Sequence, residues 1–218
     1  MTLSLQPARA PAYIVVEGAI GVGKTSLAKR LAASFNASLM LEQADENPFL
    51  ERFYRQPRSA ALPAQLFFLF QRARQLEALQ QHDMFAATQI SDYLFDKDRL
   101  FARINLDADE LDLYEKVYQR LVLDVPTPDL VIYLQAPTDI LLERIARRGI
   151  RYEQQIERGY LDKLNRAYAA YFYDFQSAPL LIVNAAQADF VHRDQDYQQL
   201  LGELTRVKPG RQYFNPAY

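Results

Sequence analysis

Eight consecutive residues constrain this chain more than anything else in it. Gly18, Ala19, Ile20, Gly21, Val22, Gly23, Lys24 and Thr25 match G-x-x-x-x-G-K-[ST] at every fixed position. The chain has 7 glycines, and Gly18, Gly21 and Gly23 all stand in this stretch. Backbone N–H groups can converge on a polyphosphate only where no side chain intrudes and the chain can take positive φ. Lys24 then serves as a point charge for the β and γ phosphates, and the Thr25 hydroxyl suits Mg²⁺. Ser26 follows inside a helix whose positive end faces the anion. The motif works only between a strand and a helix. Tyr13 to Glu17 is a β-branched run, and Lys24 to Phe35 carries Leu27, Leu31 and Phe35 on one helical face. The pattern implies ATP and Mg²⁺ as ligands.

What remains open is where the phosphoryl group goes, because the same loop serves switches, motors and kinases. A guanine-reading Asn-Lys-x-Asp string does not occur, and a motor is usually larger than 218 residues. A small metabolite kinase is the leading class. With 25 basic against 27 acidic residues, the chain carries no general footprint for nucleic acid or an anionic membrane, so a small-molecule partner is expected. Cysteine is absent, and His82 and His192 lie far apart, which argues against thiolate or structural zinc sites. No run approaches the roughly 20 apolar residues that span a bilayer, and no signal-peptide pattern opens the chain. The expected location is the cytoplasm.

Further along, Ser38 to Leu41, Thr88 to Ser91, Leu130 to Gln135 and Leu180 to Asn184 read as strands. Helical stretches separate them: Ala60 to Gln81, Asp107 to Leu123, Pro137 to Arg148, Gly159 to Phe175 and Gln195 to Val207. Strands alternating with helices predict an α/β three-layer sandwich of the P-loop NTPase type, a five-stranded parallel sheet covered on both faces. The domain is expected over residues 13–207, after a flexible leader (1–12) and before an extended tail (208–218). In the Ala60 to Gln81 helix, Leu66, Phe67, Phe68, Leu69 and Phe70 encircle the axis instead of forming a stripe. Such a helix is either buried or meets another subunit, and a homodimer through it is the favoured reading.

Glu42 closes the second strand. In a doubly wound sheet the carboxyl ends of strands line the ligand crevice, so Glu42 is expected beside the phosphate loop. A carboxylate there suits an alcohol acceptor, whose proton it can take as the bond to phosphorus forms.

Together with the loop and Glu42, the run Asn47-Pro48-x-Leu50 with Phe53-Tyr54, and the segment from Leu134-Gln135-Ala136 to Arg148-Gly149, make the chain resemble the deoxynucleoside kinases. The similarity is strongest to the bacterial deoxyadenosine and deoxyguanosine kinases and runs from about Tyr13 to Val207. The resemblance implies γ-phosphoryl transfer from ATP to the 5′-hydroxyl of a deoxynucleoside, with a purine favoured and Glu42 as base. It implies Tyr54 and Glu153 at the sugar 3′-hydroxyl, and Gln65 and Arg72 at the nucleobase. It also implies an arginine-rich lid in which Arg144 and Arg148, four apart on one helical face, close over the transferring phosphate.

One position departs from that family's pattern. Its third strand usually ends in an acidic residue, arginine and serine, whereas this chain reads Ser91-Asp92-Tyr93. Asp92 keeps a carboxylate for the metal and phosphate, but the missing cation has to come from Lys97 or a lid arginine. Two other readings stand beside the main one. A nucleoside monophosphate kinase of the thymidylate kinase type would need arginine near the third strand and gain nothing from Glu42. A non-catalytic nucleotide sensor would need no catalytic cation at all.

Overall fold

The computed structural model describes residues 13–81, 88–121, 125–190 and 193–216. The expected leader, His82, His192 and the last two residues of the tail lie outside them, as do Val122 and Leu123 of the Asp107 to Leu123 helix.

Strand β1 (Tyr13–Gly18) lies at the centre of the sheet and is buried along almost its whole length. Both of its faces are covered, which is why its sequence is a continuous apolar run and not an alternation. Around it stand β2 (Ser38–Met40), β3 (Gln89–Ser91), β4 (Leu130–Gln135), β5 (Leu180–Asn184) and β6 (Arg211–Phe214). The order is β2-β3-β1-β4-β5-β6 and every pairing is parallel.

The sheet therefore has six strands, not five, and the tail beyond residue 207 is not simply extended. Leu180 donates its N–H to the Gly210 carbonyl, Phe214 is buried, and Arg211 donates to the Phe172 carbonyl at 2.9 Å. Pro209 and Gly210 read as loop punctuation, but they end just before a four-residue edge strand. So short a strand gains its stability from the neighbour it pairs with, which local sequence does not reveal.

Helix α1 (Lys24–Phe35) begins directly at the loop lysine, behind Gly23 in the left-handed region, and no side chain caps its first turn. Its N–H groups are left for a ligand. Tyr197 of α8 (Asp194–Leu204) donates to the Arg30 carbonyl, so α1 and α8 share one face of the sheet. On the other face, α7 (Arg158–Asp174) stacks Phe172 on Tyr133 of β4 at 4.2 Å between ring centroids. Helix α4 (Lys97–Asn105) joins it there through Phe101 and Tyr168, with α3 (Pro57–Gln81) and α5 (Ala108–Leu121) packed on α4. Helix α2 (Leu50–Arg55) leans on α3, and α6 (Thr138–Arg148) follows β4. Short 3-10 turns occupy Ala44–Glu46 and Glu153–Gln155.

The aromatic run in α3 turns out to serve several neighbours at once. Leu69 is fully buried in a cluster with Phe95 and Tyr114, and Phe68 packs toward α2. Phe70 is 45% exposed, and Leu113 on the adjacent α5 is 49% exposed. The helix is thus buried on most sides and keeps one outward apolar strip.

Candidate active site

The loop between β1 and α1 is shaped by contacts that leave no room for a side chain. A Cβ on Gly18 would come within 2.5 Å of the Leu134 carbonyl oxygen. Gly21 has φ +83°, and a Cβ there would come within 2.9 Å of the Leu141 carbonyl. Lys24 donates to the Ala19 carbonyl at 3.1 Å, which holds the ammonium over the loop. Burial, assisted by the neighbouring charge of Lys97, pushes the Lys24 ammonium down to about 8, against the opposing pull of Glu17, Glu42 and Asp92.

Asp92, just past β3, ties the segment after β2 to the first turn of α1. Its Oδ2 accepts from the Thr25 hydroxyl at 2.5 Å, and its Oδ1 accepts from the Glu42 N–H at 2.7 Å. The departure at Ser91-Asp92-Tyr93 therefore still places a carboxylate against the phosphate loop, while Tyr93 is buried and turns its hydroxyl to Gln75.

Two cavities meet at the loop. The larger, about 550 Å³, runs over Gly21 to Ser26 toward Arg144, Arg147 and Ala186 to Phe190. The smaller, about 140 Å³, is enclosed by α2, α3, α4 and the segment after α6, and it contains Glu42, Tyr54, Gln65, Arg72, Asp92 and Glu153. Gly21, Lys24, Thr25 and Arg148 line both. The first has the room and the backbone donors for a nucleoside triphosphate. The second is a narrower, partly enclosed chamber that combines charged groups with an aromatic wall.

Within the second cavity the charges are paired. Glu42 Oε2 accepts from Lys97 Nζ at 2.9 Å, and Oε1 accepts from Arg72. Burial alone would raise the Glu42 carboxyl, but Lys97, Arg72 and Lys24 outweigh it and hold the group well below the usual carboxylate range. Arg72 also pairs with the fully buried Asp98, which accepts from the Tyr114 hydroxyl at 2.5 Å. Gln65 donates Nε2 to the Asp98 carbonyl at 3.4 Å. That bond leaves the Gln65 amide oxygen as an acceptor, while Arg72 Nε is buried without a hydrogen-bond partner. Gln65 and Arg72 line the chamber beside Phe68 and Phe101.

Tyr54 forms the opposite wall. Its ring stacks on Tyr152 at 6.1 Å with a 7° interplanar angle and meets Tyr160 edge-on. Burial, then the nearby Tyr160 and Glu153, hold its hydroxyl protonated well beyond its ordinary range. Glu153 is buried and pairs with Arg148, while Tyr152 donates to Asp45 at 2.6 Å. The two lid arginines behave differently. Arg148 lies at the junction of the cavities, whereas Arg144 gives its guanidinium to the Val22 carbonyl at 3.1 Å and the Ala185 carbonyl at 2.7 Å. Arg144 braces the phosphate loop against the segment after β5.

The residues expected to bind or catalyse line one cavity or the other, except Gly18 and Ala19, which form the start of the loop. Sequence reading missed Asp98, Asn105, Tyr152 and Tyr160. The helix that carries the first two, α4, also escaped notice. Its available signal was the spacing of Lys97, Phe101 and Asn105, which puts them on one helical face.

A family model described as Deoxynucleoside kinase matches residues 14–207. This chain belongs to the deoxynucleoside kinase family. It is 34% identical over 200 residues to a deoxyguanosine kinase of Bacillus subtilis, covering 89% of this chain and 97% of the relative. A deoxyadenosine/deoxycytidine kinase of the same organism is 25% identical over 201 residues, covering 89% and 92%. Among solved structures, deoxyadenosine kinase from M. mycoides with bound dATP superposes with a TM-score of 0.75 at 25% identity, covering 88% of this chain and 98% of that one. As a deoxynucleoside kinase the protein uses ATP and a hydroxyl acceptor, so the monophosphate-kinase and sensor readings fall away. Arginine is accordingly not required at the third strand for an acceptor phosphate. The described residues contain no helix long and apolar enough to cross a membrane.

Proposed function

We propose that this deoxynucleoside kinase transfers the γ-phosphoryl group of ATP to the 5′-hydroxyl of a purine deoxynucleoside, with the triphosphate in the larger cavity and the nucleoside in the smaller. The observation that carries the reading is Glu42: a carboxylate at the end of β2, ionised between Lys97 and Arg72, in the chamber that Lys24 also lines.

In this reading Lys24 neutralises the β and γ phosphates, and the 5′-hydroxyl lies between Glu42 and the γ phosphorus. A carboxylate flanked by two cations is a weak base toward a free alcohol. It takes the proton late, once the forming P–O bond has made the hydroxyl acidic, which suits a loose phosphoryl-transfer transition state. Tyr54 and Glu153 hold the sugar 3′-hydroxyl, Arg148 covers the crossing phosphate, and Arg144 keeps the loop in place behind it.

Thr25 and Asp92 are the residues that would hold Mg²⁺. Both offer hard oxygen, and no cluster of three or more His, Cys, Asp or Glu suited to a metal occurs among the described residues. An ion with one or two protein ligands and the rest from phosphate and water is what magnesium favours. Bound there, it would neutralise charge on the β and γ oxygens.

The purine assignment rests on the likeness of the Asn47-Pro48 and Phe53-Tyr54 signature to the purine-using enzymes and on the relative named deoxyguanosine kinase, with the Gln65 amide as the group that meets the base edge. Measuring kcat/KM for the four deoxynucleosides tests it. A preference for a pyrimidine above tenfold, about 1.4 kcal/mol, overturns it. Gln65→Ala should lower kcat/KM most for the best substrate, because only a correctly paired base loses hydrogen bonds with the amide. Phe70 and Leu113 support a homodimer through α3 and α5, and dependence on ATP suits action in the cytoplasm.

A further inference from the structure

Lys97 stands where a cation is costly. It is 5% exposed and opens α4, where the helix dipole disfavours a cation. Lys24 lines the same cavity, and Lys97 is one of the charges that push the Lys24 ammonium down. Its Nζ lies 5.6 Å from the centroid of the Phe101 ring, a modest compensation. The pair it makes with Glu42 at 2.9 Å offsets part of these costs, but a buried ion pair is commonly no more stable than the apolar residues that could replace it. Arg72 also pairs with Glu42, but the same guanidinium serves the buried Asp98, so Arg72 and Lys97 together balance two carboxylates, which accounts for a second cation but not for its place in the cavity wall.

The position of Lys97 offers another reason for it. The side chain reaches Glu42, the acceptor carboxylate, from the α4 side of the chamber, while Lys24 approaches from the phosphate loop. No basic residue adjoins Asp92 in Ser91-Asp92-Tyr93. Lys24, the first residue of α1, and Lys97, the first of α4, thus both stand on the wall of the cavity that contains Glu42.

We infer that Lys97 is a catalytic residue, a second cation at the transferring phosphoryl group that lies against Glu42 in the resting site and contacts the reacting oxygens during transfer. This rests on the acceptor-cavity reading given above. In the step, the bond between the γ phosphorus and the β–γ bridging oxygen breaks and its electron pair stays on ADP. The 5′ oxygen forms the new bond to phosphorus, and its proton passes to Glu42. Lys97 gives up no proton. Its charge compensates the negative charge spread over the equatorial and 5′ oxygens, where a fixed donor in a closed site acts most strongly.

The test uses the full chain, MgATP and the best deoxynucleoside, with kcat and both KM values measured for Lys97→Met and Lys97→Arg. Lys97→Met should lower kcat by about 10²-fold or more with both KM values within a few-fold, the signature of an interaction made in the transition state. Lys97→Arg should recover at least tenfold of that loss. Lys97→Gln serves in place of Lys97→Met if thermal unfolding shows the latter to be misfolded. The same substitution made in a Glu42→Gln background separates two roles. A further loss of tenfold or more means that Lys97 acts on the phosphoryl group itself. No further loss means it only positions Glu42, which overturns the inference. Retention of more than a tenth of kcat in Lys97→Met, a loss confined to KM, or no recovery with arginine also overturns it. If Glu42→Gln alone leaves kcat intact, the acceptor-base reading fails, and Lys97→Met in the wild-type background still decides the role of Lys97.

Discussion

The donor cavity and the acceptor cavity share Lys24, but they are built in opposite ways. On the donor side the phosphate-facing floor is backbone, with loop N–H groups, glycine turns and a helix start from one stretch of sequence, and the cavity of about 550 Å³ extends from it to α6 and the segment after β5. The acceptor side is mostly side chain. Glu42 comes from just past β2, Arg72 from α3, Asp92 from just past β3, and Lys97 from α4, all around a chamber of about 140 Å³. A triphosphate is recognised alike by many proteins, and backbone geometry suffices for it. A nucleoside has to be distinguished from its relatives and its hydroxyl activated, which requires charges and amides brought together from distant parts of the chain.

The sharpest way to break the donor side is Lys24→Ala. It should reduce kcat by at least about 10³-fold in a steady-state assay while circular dichroism stays native, since oriented charge at the phosphates contributes several kcal/mol. Turnover above a tenth of wild type would show that the loop does not hold the reacting phosphates. On the acceptor side, Glu42→Gln should cost about 10² to 10⁴ in kcat with little change in nucleoside affinity, the range usual for loss of a general base. Unchanged kcat would pass the role of base to Asp92.

A smaller effect separates the two cavities by pH. Lys24 is lowered from 10.5 to about 8, and ATP binds its protonated form, so ATP affinity should be flat below pH 8 and fall by up to about tenfold per unit above it. Nucleoside affinity should not follow, because Glu42 stays ionised throughout that range. Titration calorimetry of ATP between pH 7 and 9.5 checks the sign, and a rise in affinity would contradict it. The least effect on either cavity is expected from Phe70→Glu. It should split the proposed dimer in sedimentation runs at micromolar concentration, by placing an unpaired charge in the contact. A wild-type chain that sediments as a monomer would remove the dimer altogether.

How much of this was legible in the sequence follows the same division. The Lys24–Phe35, Leu130–Gln135 and Leu180–Asn184 elements could be read to the residue, because Gly23 opens the first, prolines stand just before the other two, and each carries a clear apolar pattern. Helices α2 and α4 and strand β6 could not. They span 6, 9 and 4 residues, too short for a period to stand out. Missing α4 meant missing Asp98 and Asn105, and it left Lys97 as one alternative among several.

The sequence by itself determined the phosphate loop, the alternation that makes the sheet parallel, and the place of Glu42 at a strand end. Each of these depends on residues within one or two turns of one another, where backbone sterics and local periodicity decide the outcome. Tertiary structure alone decided the ionisation of the acceptor site. Glu42 meets Arg72 from 30 positions away and Lys97 from 55, and whether a buried carboxylate is charged depends on the distance to those cations. It also decided the different fates of two arginines four residues apart. Arg144 is spent on backbone carbonyls, and Arg148 stands where the two cavities join. A guanidinium takes the acceptors that the surrounding fold leaves unpaired, and nothing in its neighbouring sequence specifies which those are.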